Sequence, residues 1–257
     1  TTPVAVTGAV NMSEVVAHMV NVLPRDAIFT NGAGNYAAWL HRFVRHREYR
    51  TQLAPTSGAM GYGVPAAIAA KLEYPEREVV ALAGDGCFLM TGQELATAVQ
   101  YKANVVIIVV DNGSYGTIRM YQEVRYPGRV SATDLANPDF TALAKGFGLA
   151  AQRVEATAEF GPALARAFQH VDEGRGPALI ELITDEGVTG LGSVYTSGGL
   201  VRGAVDVLRP WLIGASALDP AALDATLAEL RGQARGYGVV LLDLGAGVER
   251  AVRRMAA

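Results

Sequence analysis

The stretch Glu78-Val-Val-Ala-Leu-Ala-Gly-Asp-Gly86, read with Asn104-Val-Val-Ile-Ile-Val-Val-Asp-Asn-Gly113, decides the fold. Each is an unbroken apolar run ending in a polar turn, Gly84-Asp85-Gly86 in the first and Asp111-Asn112-Gly113 in the second. Short apolar runs rich in β-branched residues, without polar alternation, mark strands buried on both faces, the pattern of parallel sheets. Between them, Thr91-Gly-Gln-Glu-Leu-Ala-Thr-Ala-Val-Gln-Tyr101 is helix-compatible and long enough to carry the chain back to the same edge. The two runs therefore form a βαβ unit. Asp85 and Asn112, with 26 residues between them, stand at the carboxyl ends of neighbouring strands, where open α/β sheets bind ligands.

The residue types at those tips suit one kind of ligand. Mg²⁺ takes hard oxygen donors in octahedral geometry and usually combines one or two protein ligands with substrate phosphates and water. Asp85 offers a carboxylate and Asn112 a neutral amide oxygen, which leaves room for diphosphate charge. Gly84 and Gly86 let the backbone approach a phosphate, and a helix beginning just after them favours an anion. A lone Gly-Asp-Gly is more often an ordinary strand-to-helix turn; spacing and neighbourhood point to the metal site.

Working outward, Ser13 is expected to cap a helix from Glu14 to Val22, followed by a strand over Asp26–Thr30. The turn Asn31-Gly-Ala-Gly-Asn-Tyr36 leads into a helix through Val44, and a second helix runs from near Gly58 to near Lys71. Past the central unit, Asn137 is expected to cap a helix with Pro138 at its first position. A strand over Ala150–Glu155, a helix around Glu159–His170 and a strand over Pro177–Ile183 follow. This alternation reads as an α/β fold, a parallel sheet with helices on both faces. Residues 1–186 form that domain. Residues 187–200, with five glycines, read as a Gly-rich linker. Residues 201–257 read as a small α/β-like C-terminal extension of unassigned role.

Half of the 257 residues are hydrophobic and 18% charged, so the chain is globular and able to bury a core. A net charge of −3 leaves no nucleic-acid footprint, and His41-Arg-Phe-Val-Arg-His-Arg47 reads as a solvated face. The single cysteine excludes an internal disulfide framework. No apolar run reaches the roughly 20 residues that span a bilayer. A cytoplasmic protein with no membrane partner is expected.

Several motifs in order, Thr56-Ser-Gly-Ala-Met-Gly-Tyr-Gly-Val-Pro-Ala-Ala-Ile-Ala-Ala-Lys71, Cys87-Phe-Leu-Met-Thr-Gly-Gln-Glu94 and Asn112-Gly-Ser-Tyr-Gly-Thr-Ile-Arg-Met-Tyr-Gln-Glu123, join the two strand tips. Together, from about Ser13 to Asp185, they resemble the diphosphate-binding domain of the thiamine-diphosphate (ThDP) enzymes of the acetolactate synthase and 2-oxo acid decarboxylase family. The resemblance implies the ThDP-binding fold and two cofactors, ThDP and Mg²⁺. It implies decarboxylation of a small 2-oxo acid, ending in release of an aldehyde or in ligation to a second carbonyl.

The resemblance also assigns roles. Asp85, Asn112 and the backbone carbonyl of Ser114 would hold the metal. Gly34, Asn35, Gly84, Gly86, Cys87, Tyr115 and Gly116 would contact the cofactor, Gly86 and Cys87 through their amides. Gly58 would face the aminopyrimidine with its carbonyl and Met60 would wedge beneath the cofactor, and these two are the catalytic candidates. Tyr115, Ile118, Met120 and Tyr121 are candidates for a substrate pocket, with ordinary packing as the alternative. Cys87 is otherwise a small buried filler rather than a nucleophile. In this family the Glu that activates the cofactor comes from a pyrimidine-binding domain, usually on a neighbouring subunit. No motif of that domain is found here, so the chain is expected to be one portion or subunit of a larger enzyme and to work as a homo-oligomer.

Two other readings stand beside this one. Gly32-Ala-Gly34-Asn-Tyr-Ala37 fits a dinucleotide-binding G-x-G-x-x-A, but no acidic residue ends a second strand about 20 residues on. A non-catalytic ThDP-fold subunit is the other.

Overall fold

In the computed structural model, residues 8–184 are described; the expectations for 187–257 lie outside them. The strands are β1 (Ile28–Asn31), β2 (Gln52–Leu53), β3 (Val79–Gly84), β4 (Val106–Asp111), β5 (Ala150–Val154) and β6 (Ala178–Ile183). All pair in parallel in one six-stranded sheet of order β2-β1-β3-β4-β6-β5. The helices are α1 (Met12–Val22), α2 (Ala37–Phe43), α3 (Gly63–Glu73), α4 (Asp85–Phe88), α5 (Leu95–Gln100), α6 (Gly116–Arg125), α7 (Phe140–Gly146) and α8 (Thr157–Asp172).

Successive residues of a strand point to opposite faces, and the core divides accordingly. Val80, Leu82, Val106, Ile108 and Ile180 face a cluster built with α1, α2 and α8. Val79, Ala81, Val105, Ile107 and Leu179 face the other, with α3, α5, α7 and Phe88 of α4. Central strands buried on both sides explain why β3 and β4 carry no polar alternation.

The chain goes from β1 outward to β2, then crosses back to β3 on the other side of β1. That reversal is a topological switch point, and it opens a crevice at the carboxyl ends of the strands. The turn after β1 and the turn after β3 therefore face one space, with the turn after β4 beside them.

Several element boundaries differ from expectation for physical reasons. Asn11, not Ser13, caps α1: its side-chain oxygen accepts from the amides of Ser13 and Glu14, and Ser13 lies inside the first turn. α3 begins at Gly63 rather than near Gly58, because Gly58 and Gly61 take left-handed φ values of 69° and 78°. The helix expected over Thr91–Tyr101 is shorter: a 3₁₀ turn at Gly92–Glu94 leads into α5, and the separate single turn α4 precedes them directly after β3. That turn seats Phe88, fully buried and edge-on to Phe140 at 5.4 Å, under the sheet. A Cβ on Gly92 would stand 3.0 Å from its ring. β2, a two-residue edge strand, was not anticipated.

Gly63 shows how closely α3 approaches β1. A Cβ there would meet the backbone of Gly32 at 3.0 Å and of Asn31 at 3.1 Å, and the Gly63 carbonyl accepts from Thr30 Oγ1 at 2.7 Å. Ala ordinarily favours a helix over Gly by about 1 kcal/mol. Here rigid backbone lies in the way, so Gly63→Ala is expected to reverse that sign and destabilise by about 1–2 kcal/mol. Urea unfolding checks this, and a more stable variant would refute the contact.

Candidate functional site

Three turns at the carboxyl ends of β1, β3 and β4 line a cleft of about 220 Å³. The cleft gathers every residue assigned above to the cofactor or metal. The first turn brings Gly34 and Asn35, and the loop before α3 brings Gly58 and Met60. The turn after β3 brings Gly84, Asp85, Gly86 and Cys87, and the turn after β4 brings Asn112, Ser114, Tyr115 and Gly116. Of the substrate-pocket candidates, Tyr115 and Ile118 line the cleft, whereas Met120 and Tyr121 are not among its walls. Tyr36 and Thr117, which sequence reading passed over, also line it.

Asp85 and Asn112 sit together because Gly84 is registered beside Val110 across the β3–β4 ladder. Asp85 is 3% exposed. Its Oδ1 accepts from the Gly86 amide at 2.7 Å and its Oδ2 from Asn137 Nδ2 at 2.8 Å. Burial pushes this carboxyl above its ordinary value. The Asn137 and Gly86 hydrogen bonds pull the other way, the charge of Asp111 adds to the rise, and an Asn112 backbone bond opposes it. Asn112 Oδ1 accepts from the Ser114 amide at 3.2 Å, closing a tight turn, and the Ser114 carbonyl accepts from Gly116 at 2.9 Å. The turn is braced from outside, since Ser114 Oγ donates to the Thr133 carbonyl at 3.2 Å.

The glycines answer to two aromatic rings as well as to any ligand. A Cβ on Gly34 or Gly84 would stand 2.6 or 2.7 Å from the Tyr36 ring, and one on Gly86 would stand 2.4 Å from the Tyr115 ring. Tyr36 donates its hydroxyl to Cys87 Sγ at 3.1 Å, and the Gly61 amide donates to the same sulfur at 3.0 Å. Burial, reinforced by the facing Cys87, holds the Tyr36 phenol well above its ordinary range. Cys87 is thus a buried junction between three turns rather than a plain filler. Asn35 is fixed from β4's side, donating its amide to Thr117 Oγ1 at 3.0 Å and accepting from that hydroxyl at 2.9 Å.

Asn137 is the functional neighbour that the sequence reading misassigned. It does not cap α7: Asp139 does, accepting from the Ala142 amide at 2.8 Å. Its amide instead donates to Asp85 Oδ2 and to Asp111 Oδ1, at 2.8 and 2.7 Å. The signal available beforehand was weak, because Asn before Pro reads as a helix start whatever else the side chain does.

The donor set discriminates among metals. Among the described residues, no group of three His, Cys, Asp or Glu side chains is placed to hold an ion. One carboxylate, one amide oxygen and one backbone carbonyl are hard but few, leaving positions for a ligand's own oxygens. That combination fits Mg²⁺ arriving with phosphate oxygens and does not fit a soft-metal cage. No described helix is long and apolar enough to cross a membrane.

Comparison with known proteins gives consistent relatives. Residues 32–182 match the family model described as thiamine pyrophosphate enzyme, C-terminal TPP binding domain. The acetolactate synthase large subunit of Corynebacterium glutamicum is 37% identical over 215 residues, covering 80% of this chain and 34% of that protein. The mitochondrial acetolactate synthase catalytic subunit of Aspergillus candidus is 38% identical over 172 residues, 66% of this chain and 24% of the relative. Among solved structures, the thiamine diphosphate-dependent 4-hydroxybenzoylformate decarboxylase of Rhodococcus jostii RHA1 superposes with a TM-score of 0.67 at 30% identity. That match covers 73% of this chain and 35% of that one. The chain spans about a third of the length of these larger relatives or less.

Proposed function

The chain belongs to the thiamine pyrophosphate enzyme family, whose C-terminal TPP-binding domain it carries, and from that premise we propose that its cleft binds ThDP through Mg²⁺ for an acetolactate synthase-like decarboxylase or carboligase. One observation carries the reading: the buried carboxylate of Asp85 and the amide of Asn112 line one cleft at the carboxyl ends of adjacent parallel strands, next to the switch point and beside glycine backbone. The side chains of Asp85 and Asn112 and the Ser114 carbonyl hold the metal. The backbone amide of Cys87, with Gly34, Asn35, Gly84, Gly86, Tyr115 and Gly116, would receive the diphosphate portion, the Gly86 amide being held by Asp85 Oδ1. Gly58 and Met60 hold the reactive end in shape and are the catalytic candidates of this chain. When bound, the cofactor supplies the carbanion-stabilising chemistry; the protein supplies binding, orientation and electrostatics.

Asp85 is the one carboxylate among the described residues lining the cleft. In this role it is committed to the metal, so no carboxylate of the cleft remains to activate the cofactor. As the family resemblance implies, the activating Glu would come from a pyrimidine-binding domain or subunit, in a cytoplasmic homo-oligomer that acts on a small 2-oxo acid and releases an aldehyde or a ligated product.

Titrating the 257-residue chain with ThDP, with and without Mg²⁺, and separately with NADH tests this. ThDP binding that requires Mg²⁺ is expected, with none for NADH and no pyruvate decarboxylation by the chain alone. Absence of Mg²⁺-dependent ThDP binding overturns the assignment. Turnover of pyruvate by this chain alone overturns the shared-site part.

A further inference from the structure

We propose that Asn137 is a positioning residue of the metal site, which holds the Asp85 carboxylate in its binding rotamer and keeps the neighbouring Asp111 carboxylate out of the coordination sphere. The inference rests on the Mg²⁺–ThDP reading of the cleft and adds a residue that reading did not contain.

The geometry is specific. Asp85 and Asp111 end adjacent parallel strands, and one nitrogen, Asn137 Nδ2, lies within 2.8 Å of the first and 2.7 Å of the second. A primary amide has two N–H hydrogens, and each meets one carboxylate. The assignment of nitrogen and oxygen in this amide follows from chemistry: the reversed amide would press its oxygen against two carboxylate oxygens. Asn137 Oδ1 is buried without a partner, so the side chain is held by its donors alone. Asp111 is held twice, since the same Oδ1 also accepts from the Gly113 amide at 3.1 Å.

This arrangement separates two acidic residues that sequence alone leaves equivalent. Asp111 is adjacent to Asn112 and would be a stronger donor to a cation than an amide oxygen. Its Oδ1 is held by both Asn137 and Gly113, and Asp111 is not among the residues that line the cleft. Asp85 keeps one oxygen on the Gly86 amide and the other on Asn137, so both carboxylate oxygens are fixed before any ion arrives. Prefixing a ligand in this way lowers the ordering cost of binding. Asn137 comes from the segment entering α7, outside every motif of the cleft, so its contribution is independent of the turns that line the site.

The test measures the half-saturating Mg²⁺ concentration at saturating ThDP by calorimetry, in the full chain and in N137A, D111N and D111N/N137A, with thermal unfolding of each protein alone. Loss of an outer-shell partner costs about 10- to 100-fold in metal affinity, and that loss is expected for N137A. The loss on removing Asn137 should shrink by at least about 3-fold in the D111N background, where no second carboxylate competes, a coupling that a merely structural role does not produce. Mg²⁺ affinity in N137A within twofold of the parent, or an equal loss in both backgrounds, overturns the inference while leaving the ThDP assignment standing. Failure of the parent chain to bind ThDP with Mg²⁺ removes both.

Discussion

Replacing Asp85 by Ala is expected to abolish measurable Mg²⁺-dependent ThDP binding, a weakening of about 100-fold or more, equivalent to about 2.8 kcal/mol. Asp85 is the sole carboxylate among the described residues lining the cleft, and its replacement would leave one amide oxygen and one carbonyl against a hard dication. In the empty protein, burial penalises the ionised form of this carboxyl, but both of its oxygens accept hydrogen bonds, so Asp85→Asn, which sets its NH₂ against the Gly86 amide or Asn137 Nδ2, is expected to lower stability by about 1–3 kcal/mol. Ligand-induced stabilisation follows mass action, about 2.7 kcal/mol at a ligand concentration 100 times Kd. The parent should therefore gain thermal stability when ThDP and Mg²⁺ are added together, and both variants should not. A variant that still shows the Mg²⁺-dependent shift would remove Asp85 from the site.

The second large effect concerns the fold behind the cleft. Glu181, on β6, is 1% exposed, and Arg153, on β5, reaches it with Nε at 3.0 Å from Oε2. The same guanidinium reaches Asp139 Oδ1 at 3.4 Å, tying the cap of α7 to the sheet. Removing one partner of a buried pair costs about 3–5 kcal/mol. The Arg153 side chain is 40% exposed, and solvent screening reduces the expected cost of Arg153→Met to about 2–3 kcal/mol.

The pH dependence fixes the cause. Burial raises the Glu181 carboxyl above its ordinary 4.5, and the Arg153 hydrogen bond and charge oppose that rise. Between the unfolded value and the raised folded value, the folded state binds more protons, so stability falls as pH increases through that window. Without Arg153 the folded value climbs further and the window extends upward. The destabilisation should thus be largest near neutrality and shrink on acidification towards pH 4.5, where the carboxyl begins to protonate in both states. Urea unfolding at two pH values reads it, and a loss that does not change with pH would exclude an unpaired Glu181 as its source.

The same pair shows how sequence information is distributed. Glu181 sits within Pro177-Ala-Leu-Ile-Glu-Leu-Ile183, and nothing in that run reveals that Arg153 covers it. The strand itself was legible, because apolar runs of five or six residues ending in Gly, Asn or Asp state their conformation locally. The same holds for Asp85 and Asn112: a parallel βαβ unit brings both tips to one edge wherever the intervening helix begins or ends. For this reason the error over Thr91–Tyr101 did not disturb the site.

α1 and α7 show the limit. Ser13 and Asn137 are both good caps by residue type, yet Asn11 and Asp139 hold the amides. Capping preference ranks residues at a position and does not choose between positions two residues apart. Which side chain turns inward depends on what the rest of the chain places within reach.

The sequence by itself determined the strand runs, their parallel pairing and the oxygen donors at their tips, because these depend on burial patterns repeated within a few residues. Tertiary structure alone joined the two carboxylates through one amide, because Asn137 meets Asp85 across 52 positions and Asp111 across 26. A hydrogen bond between such distant residues exists only after the sheet has brought them within 3 Å, and no local pattern records it.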